Sequence, residues 1–501
     1  MRGGGSAGDA VDVELDEGPR DRVANGPRDP RRARRRSFWI VAAVLVVAAA
    51  VGVTSAVMTA EDQRRERDRR DALADVPGLL PPLDGPLTEA WTVPDARLAA
   101  VGRDVVVLDA PRGVRLTGVD LRTGGQAWTR RVADDEVCTT LGAESTLVRP
   151  GTGSGPDELL ACHRFFATVE GSRVAVGDPA SVAVLDVATG TQVATVPTPA
   201  DVLGAVLAGD DVVVASLDEA GAVVVARWAL PGSPDGSARQ IWSRRLPEPL
   251  ERMDRGGWVF RVEADLVRVG TVGSAPLDLV TGEPRPGAAR DGVLYTMQAP
   301  LPGGARVEWD VDGAARVTGE SRLVPAEGGD VVELDGVPWR ADVSDDSVPG
   351  VLLLRRGSSL FDTLYDTASG TGEVVAVDTA SGVDLWSGGR MAGMVALVQL
   401  DGILVTAGAG KVVAVDVRDG DVVWQDTAGG VGTRPNGLTD GAVVVLSQGA
   451  GAEVALVARD LRTGVERWQV PLHDDGGYLS LVGTGAGVLV LSDAGVSLLT
   501  P

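Results

Sequence analysis

A short pattern recurs along the chain and limits what it can fold into. The pattern is Val-Val-Ala-Val-Asp, then two residues, then Thr, Ser or Asp, then Gly, three residues and Trp. Its clearest copies are Val374–Trp386 and Val412–Trp424. Copies ending at Trp128 and Trp468 keep the Asp, the Gly four residues on and the Trp four beyond that. Two weaker copies keep only the first pair: Asp186 and Gly190 with Ala194, and Asp278 and Gly282 with Pro286. A period of roughly forty residues marks an array of supersecondary units, each too small to bury a core alone.

The chemistry of one copy gives the local structure. Val-rich runs of four to six residues, such as Gly402–Thr406, Lys411–Val415 and Ala442–Ser447, are bounded by Gly and Asp and read as strands. Asp416 ends a strand, where its carboxylate can accept the turn's backbone N–H groups. Gly420 supplies the positive φ of a short hairpin loop. Trp424 falls on the next strand. Each unit is therefore a small antiparallel sheet of up to four strands, and a radial ring lets neighbouring sheets share cores. A Trp at a fixed place in each unit would fill the space between adjacent sheets, burying about 150–250 Å² apiece. The predicted fold class is all-β, a β-propeller.

The pattern at 376–386, 414–424 and 458–468 resembles the tryptophan-docking repeat of the pyrroloquinoline-quinone-like (PQQ-like) β-propellers. That superfamily includes quinoprotein alcohol dehydrogenases and the lipoprotein propeller of the outer-membrane protein assembly machine. The resemblance covers about residues 90–501, strongly at the C-terminal end and poorly between about 197 and 345. It implies a ring of about eight four-stranded blades. The tally of units in the sequence is eight or nine, and would not exclude seven. The last unit, Gly487–Leu491 and Val496–Leu499, stops before any Trp strand. Glu89–Val93, containing Trp91, resembles that missing strand and is expected to close the ring by completing the last blade.

Upstream of the repeats lies a different kind of sequence. Residues 1–36, rich in Gly, Asp, Arg and Pro, are too polar to bury a core and are expected to be a disordered cytoplasmic tail. Phe38–Ala60 is an uncharged run of about 23 residues, long enough as a helix to cross a hydrocarbon core of about 30 Å. A cleaved signal peptide is the rival reading, but its apolar region would run about 7–15 residues. Residues 37–60 are thus expected to form one transmembrane helix, a single-pass anchor in the cell membrane.

Orientation rests on less. The five arginines within Arg31–Arg36 are matched by Arg64, Arg65, Arg67, Arg69 and Arg70, so the Lys/Arg count ties. The second group is interleaved with acidic residues, which tips the balance weakly toward a cytoplasmic N-terminus and an extracytoplasmic propeller. Residues 61–88 are expected to be a charged stalk and Pro-rich linker. Glu61/Arg65 and Glu66/Arg70 stand at helical spacing, and Pro77 and Pro81-Pro82 stop the helix. The propeller domain then runs from 89 to 501.

The formal charge of −23 falls almost wholly on that domain. Such acidity repels phosphate backbones and argues against nucleic-acid binding; its plainer use is to keep a large β domain soluble.

Few residues offer chemistry. Cys138 and Cys162, the only cysteines, can form a disulfide in an oxidising exterior or remain buried thiols. With two histidines, His163 and His473, no zinc-type ligand set is visible. A Ser-His-Asp site lacks the G-x-S-x-G elbow. The acidic stretches Asp310–Gly313 and Asp342–Asp346 can be read as calcium loops or hairpin turns, and neither matches the full D-x-[DN]-x-[DN]-G loop.

The resemblance to quinoprotein dehydrogenases implies a PQQ cofactor. However, this chain lacks their vicinal cysteine pair, and their calcium ligands and catalytic Asp match no position here. The expected function is a membrane-tethered, non-catalytic scaffold that binds a protein or small-molecule ligand at the propeller face, with no cofactor. A PQQ-dependent dehydrogenase, or a diverged sensor that keeps the cofactor, is the alternative. The motif residues Asp120, Gly124, Trp128, Asp378, Gly382, Trp386, Asp416, Gly420, Trp424, Asp460, Gly464 and Trp468 are assigned to structure, not catalysis.

Overall fold

In the computed structural model the described residues are a few positions between 64 and 76 and, with internal gaps, residues 78–501. The chain divides into two compact units, 1–69 and 70–501. Of the first, Arg64 and Arg69 are described, and both are helical. The uncharged run 38–60 lies outside the described residues. Among those described, no helix is long and apolar enough to cross a membrane.

The second unit is all-β. Among the described residues, eight sheets of four or more strands and one of three follow one another along the chain, with a two-stranded hairpin besides. We number the nine as sheets 1 to 9. Sheet 1 spans Arg97–Arg131, sheet 2 Glu136–Pro197, sheet 3 Val202–Pro249 and the three-stranded sheet 4 Val259–Asp278. Sheet 5 spans Val293–Asp335, sheet 6 Val337–Gly388, sheet 7 Val395–Asp426 and sheet 8 Leu438–Pro471. Sheet 9 spans Leu479–Thr500 and takes its fourth strand, Thr88–Pro94, from the other end of the chain. That strand pairs antiparallel with Gly495–Thr500, Trp91 opposite Leu498. The edge left by the last unit is thereby covered from the start of the domain.

Neighbouring sheets share cores, which is what the repeat period demands of units this small. Leu108 and Val119 of sheet 1 pack with Leu489 and Leu498 of sheet 9. Val405 and Ala414 of sheet 7 pack with Val444 and Leu446 of sheet 8. Comparable apolar clusters bind 1 to 2, 2 to 3, 3 to 4, 5 to 6, 6 to 7 and 8 to 9. Among the described residues no apolar cluster spans sheets 4 and 5. There the Arg268 guanidinium donates to the Thr296 carbonyl at 2.7 Å, and the Thr296 hydroxyl donates to Asp310 at 2.6 Å. Asp310 also takes both arms of Arg322 at 3.2 Å. Asp310 lies inside the strand Arg306–Asp312 and holds a buried ion pair there, and the antiparallel strand Val317–Val324 follows, so the chain reverses just after this acidic stretch.

The Pro-rich segment before the first strand is in part a packed element. Leu73 is buried in the core of sheets 7 and 8, with Val76 and Leu79 against it. Leu80, Leu83 and Leu87 are buried in the core of sheets 8 and 9. Leu79 bridges in parallel to Thr439, Leu80 N–H donates to the Thr439 carbonyl at 2.8 Å, and Leu83 N–H donates to Asp440 at 2.8 Å. A leucine or valine at least every four residues, from Leu73 through Val76, Leu79, Leu80 and Leu83 to Leu87, gives the stretch enough apolar surface to pack, although its prolines suggested only a spacer.

Candidate functional site

The turns come first, because they position everything else. Asp120 Oδ1 accepts the Thr123 N–H and the Thr123 hydroxyl, both at 2.8 Å. Asp186 with Thr189, Asp278 with Thr281, Asp378 with Ser381 and Asp460 with Thr463 repeat the arrangement. The hydroxyl oxygen then accepts the N–H two residues on, as Gly125 N–H gives to Thr123. In the copy at Asp416 the hydroxyl residue is Asp419, which accepts the Asp421 N–H at 2.9 Å.

These bonds favour the ionised carboxylate. The side-chain hydrogen bond from Thr123 is the largest influence holding Asp120 below its usual range, and that from Ser381 does the same for Asp378. Asp278 is lowered to about 2, chiefly by the Thr281 N–H and then by Arg285. The six turn glycines, Gly124, Gly190, Gly282, Gly382, Gly420 and Gly464, all have φ between +67° and +75°.

Each turn receives a side chain from the preceding sheet. Trp386 of sheet 6 lies on Gly420 of sheet 7, where a Cβ would meet the ring at 2.7 Å, and its Nε1–H donates to the Val417 carbonyl at 2.8 Å. Trp424 of sheet 7 lies on Gly464 of sheet 8 and donates to Leu461 at 2.9 Å. Trp128 of sheet 1 lies on Gly190 and donates to Val187, and Trp91 lies on Gly124 and donates to Leu121, both at 3.1 Å. The Gly and the Trp of one copy therefore serve different joints. In every case the acceptor is the residue just after the turn Asp. The glycine is required twice over, for its backbone conformation and for the indole lying on it.

Two indoles depart from this arrangement, Trp242 in its spacing and Trp468 in its acceptor. Trp242 of sheet 3 lies on Gly282 and donates to Leu279 at 2.9 Å, so the turn at Asp278 does receive an indole. The motif missed it because this Trp belongs to a strand pair whose connection is longer than the repeat allows. Trp468 of sheet 8 has no such turn to meet, because the fourth strand of sheet 9 is Thr88–Pro94 and no Asp turn joins it to Gly495–Thr500. Its Nε1–H donates instead to the Leu83 carbonyl at 3.2 Å, and the packed N-terminal segment replaces the missing turn.

The joint between sheets 5 and 6 is built differently. Gly382 faces Val332 and Leu334, with Val332 Cγ1 2.6 Å from where a Cβ would stand. Among the described residues the Thr379 carbonyl, at the position that accepts an indole elsewhere, receives none. A cavity of about 170 Å³ lies at this joint, lined by Leu301 and Leu323 of sheet 5, by Trp339, Val348 and Thr379 of sheet 6, and by Asp346 at its mouth. Asp346 faces Arg340 at 3.8 Å and holds φ +49°, a left-handed conformation that Asp tolerates better than most residues. Asp345 beside it accepts the Asp401 N–H at 2.8 Å, and Val343–Ser344 pair in parallel with Val398–Gln399, so the stretch 342–346 joins the edge of sheet 7.

Cys138 and Cys162 are directly opposite on adjacent strands of sheet 2, with Cα atoms 4.0 Å apart, and are joined in a disulfide. Glu136 stands within 4.8 Å of both, but sulfurs bonded to each other are not thiolate ligands. His163 is buried on the strand beside Cys162, and His473 lies outside the described residues.

This geometry agrees with what the chain resembles elsewhere. A family model described as outer membrane protein assembly factor BamB matches residues 327–491. The chain carries a PQQ-like, BamB-type propeller repeat. Among solved structures, BamB from Moraxella catarrhalis is 16% identical, covering 83% of this chain and 99% of that one, with a TM-score of 0.39. Saccharomyces cerevisiae Sqt1 is 10% identical, covering 82% and 97%, with a TM-score of 0.38. A quinohemoprotein alcohol dehydrogenase from Pseudomonas putida HK5 is 13% identical, covering 81% and 71%, with a TM-score of 0.34. No curated protein matches the chain.

Proposed function

We propose that this protein is a non-catalytic, protein-binding scaffold held at the outer face of the cell membrane by a single helix at residues 37–60. The uncharged run and its flanking arginines support the anchor, and the disulfide suits an oxidising exterior. The match to the BamB family model favours a binding role over chemistry.

One observation carries the binding reading. The motif spends its Asp, Gly and Trp inside the joints, while the residues between them face solvent with apolar side chains. Val383 and Leu385 of sheet 6, Val422 and Val423 of sheet 7 and Val465 of sheet 8 are all exposed. Apolar groups on successive outer strands form the kind of surface that partners cover.

The test has two arms. The full chain, immobilised in detergent, is used to capture partners from envelope extract, beside a Leu385→Ser/Val423→Ser variant. A specific partner lost in the variant is the expected result. The same preparation is titrated with pyrroloquinoline quinone and calcium while dye reduction is followed. Stoichiometric binding with turnover would replace the scaffold by a dehydrogenase.

A further inference from the structure

We propose that the outer rim of the joint between sheets 6 and 7 seats an arginine side chain carried by a partner polypeptide. The proposal rests on the scaffold reading and names the chemistry that the partner brings.

Three other joints show how such a rim is closed, each through the residue two beyond the Trp on the outer strand. Arg130 pairs in register with Leu116 of the core shared by sheets 1 and 2, and donates to Gln192 of sheet 2 at 2.7 Å. Arg244 pairs in register with Val225 of the core shared by sheets 3 and 4. It donates to the Gly282 carbonyl at 3.2 Å and forms an ion pair with Glu283. Asp426 of sheet 7 holds Arg459 of sheet 8 at 2.6 Å.

The joint between sheets 6 and 7 has the receiving half of the Arg244 contact. Asp421 follows Gly420 as Glu283 follows Gly282, and the backbone holds the two turns alike. Gly282 and Gly420 have φ +71° and +75°, and each donates to its turn Asp carbonyl at 2.8 Å. The Asp278 and Asp416 N–H groups return to the Glu283 and Asp421 carbonyls at 2.8 and 2.9 Å. On the giving side stands Gly388, two beyond Trp386 and in register with Val374 of the core shared by sheets 6 and 7. It has no side chain to offer. Asp421 is exposed, and its neighbour Arg418 is held by Asp416 at 3.4 Å. Among the described residues no cation pairs with Asp421.

The surroundings select the occupant. Val422, in register with Val415 of the same core, is exposed beside Asp421, and Trp386 is half-buried where Trp424 is buried. A guanidinium can give one N–H to a carboxylate and another to a carbonyl, lie against an indole and cover a valine with its stem. The propeller's charge of −23 attracts a cationic segment and repels a second copy of this chain. Leu385 and Val423, exposed on the two outer strands, favour an arginine flanked by apolar residues.

The test uses the full chain in detergent and the blocked peptide acetyl-Leu-Arg-Leu-amide, followed by calorimetry and methyl NMR. Saturable binding is expected, with nuclear Overhauser contacts from the arginine stem to the Val422 methyls. The citrulline analogue, which keeps the shape and loses the charge, is expected to bind about tenfold more weakly. Asp421→Asn is expected to weaken the arginine peptide by about the same factor. Gly388→Arg supplies the arginine from within the chain, where a Cβ meets the flexible end of Met391, and is expected to abolish peptide binding. Should that variant not fold, Asp421→Asn decides. Absence of saturable binding, equal affinity for the citrulline peptide, or unchanged binding by Asp421→Asn or by a folded Gly388→Arg protein overturns the proposal. Binding that appears only in Arg390→Ala also overturns it, by giving the seat to the chain itself. So does a dimer that the peptide dissociates, by giving the seat to a second copy. Failure of the peptide leaves partner capture from envelope extract untouched, so the two readings fail separately.

Discussion

The joint between sheets 7 and 8 and the joint between sheets 4 and 5 do the same work with opposite chemistry. At the first, Trp424 covers Gly464, reaches the Leu461 carbonyl and joins an apolar core of both sheets. At the second, Arg268 reaches across to the Thr296 carbonyl, and within sheet 5 the Thr296 hydroxyl and the Asp310–Arg322 ion pair lie behind that contact. The first gains from burial, which tolerates small shifts in position. The second depends on full satisfaction of buried charges, where losing one partner strands the other. A ring can thus keep its curvature while its joints diverge, so the repeat need not be legible at every joint.

Removing an indole tests the first joint and should have the largest effect. Trp424→Ala is expected to cost about 3–5 kcal/mol in urea unfolding, because the ring is buried and the glycine beneath it cannot fill the space. A loss under about 1 kcal/mol would make the contact superficial. Asp310→Ala removes the carboxylate that holds Thr296 and Arg322 behind the second joint and leaves the buried Arg322 only Glu308 at 3.6 Å; about 3 kcal/mol is the expected loss. If Asp310→Ala together with Arg322→Met restores most of that loss, the pair contributes register more than stability.

The disulfide offers a third comparison, since it staples sheet 2 covalently where the other sheets rely on packing. Cys138→Ser/Cys162→Ser is expected to lower stability by about 3 kcal/mol, read from the urea midpoint of oxidised and variant proteins.

The smallest effect concerns the turns. Asp278 in the folded chain titrates at about 2, below its usual 3.8. Its contribution is fully present above about pH 4 and is lost as pH falls toward 2. The urea midpoint of the unaltered protein should therefore fall more steeply between pH 5 and pH 2 than that of Asp278→Asn. Parallel pH profiles would show that the turn hydrogen bonds do not depend on charge.

Much of the turn and joint chemistry was legible in the sequence because it is local. Asp378, Ser381 and Gly382 act within five residues, and the spacing to Trp386 is fixed by one short hairpin. What escaped was everything set by distant pairing. Trp242 serves Gly282 across a change of sheet, and a longer connection breaks its spacing. Leu80, Leu83 and Leu87 pack on sheets 8 and 9, though their own neighbourhood is Pro-rich and reads as a spacer. The Asp310–Arg322 pair has no period at all. The joint between sheets 5 and 6 was hidden for a different reason: the sequence shows a complete Asp, Ser and Gly there, and only the structure shows Val332 and Leu334 over Gly382.

The central claim is that the motif builds joints. Hydrogen exchange at the indole Nε1–H groups, followed by NMR of the full chain, tests it most directly. Trp91, Trp128, Trp242, Trp386, Trp424 and Trp468 each donate to a backbone carbonyl of another segment, so their signals should persist long after those of freely solvated indoles have gone. Exchange of these six at the rate of an exposed indole would contradict the account.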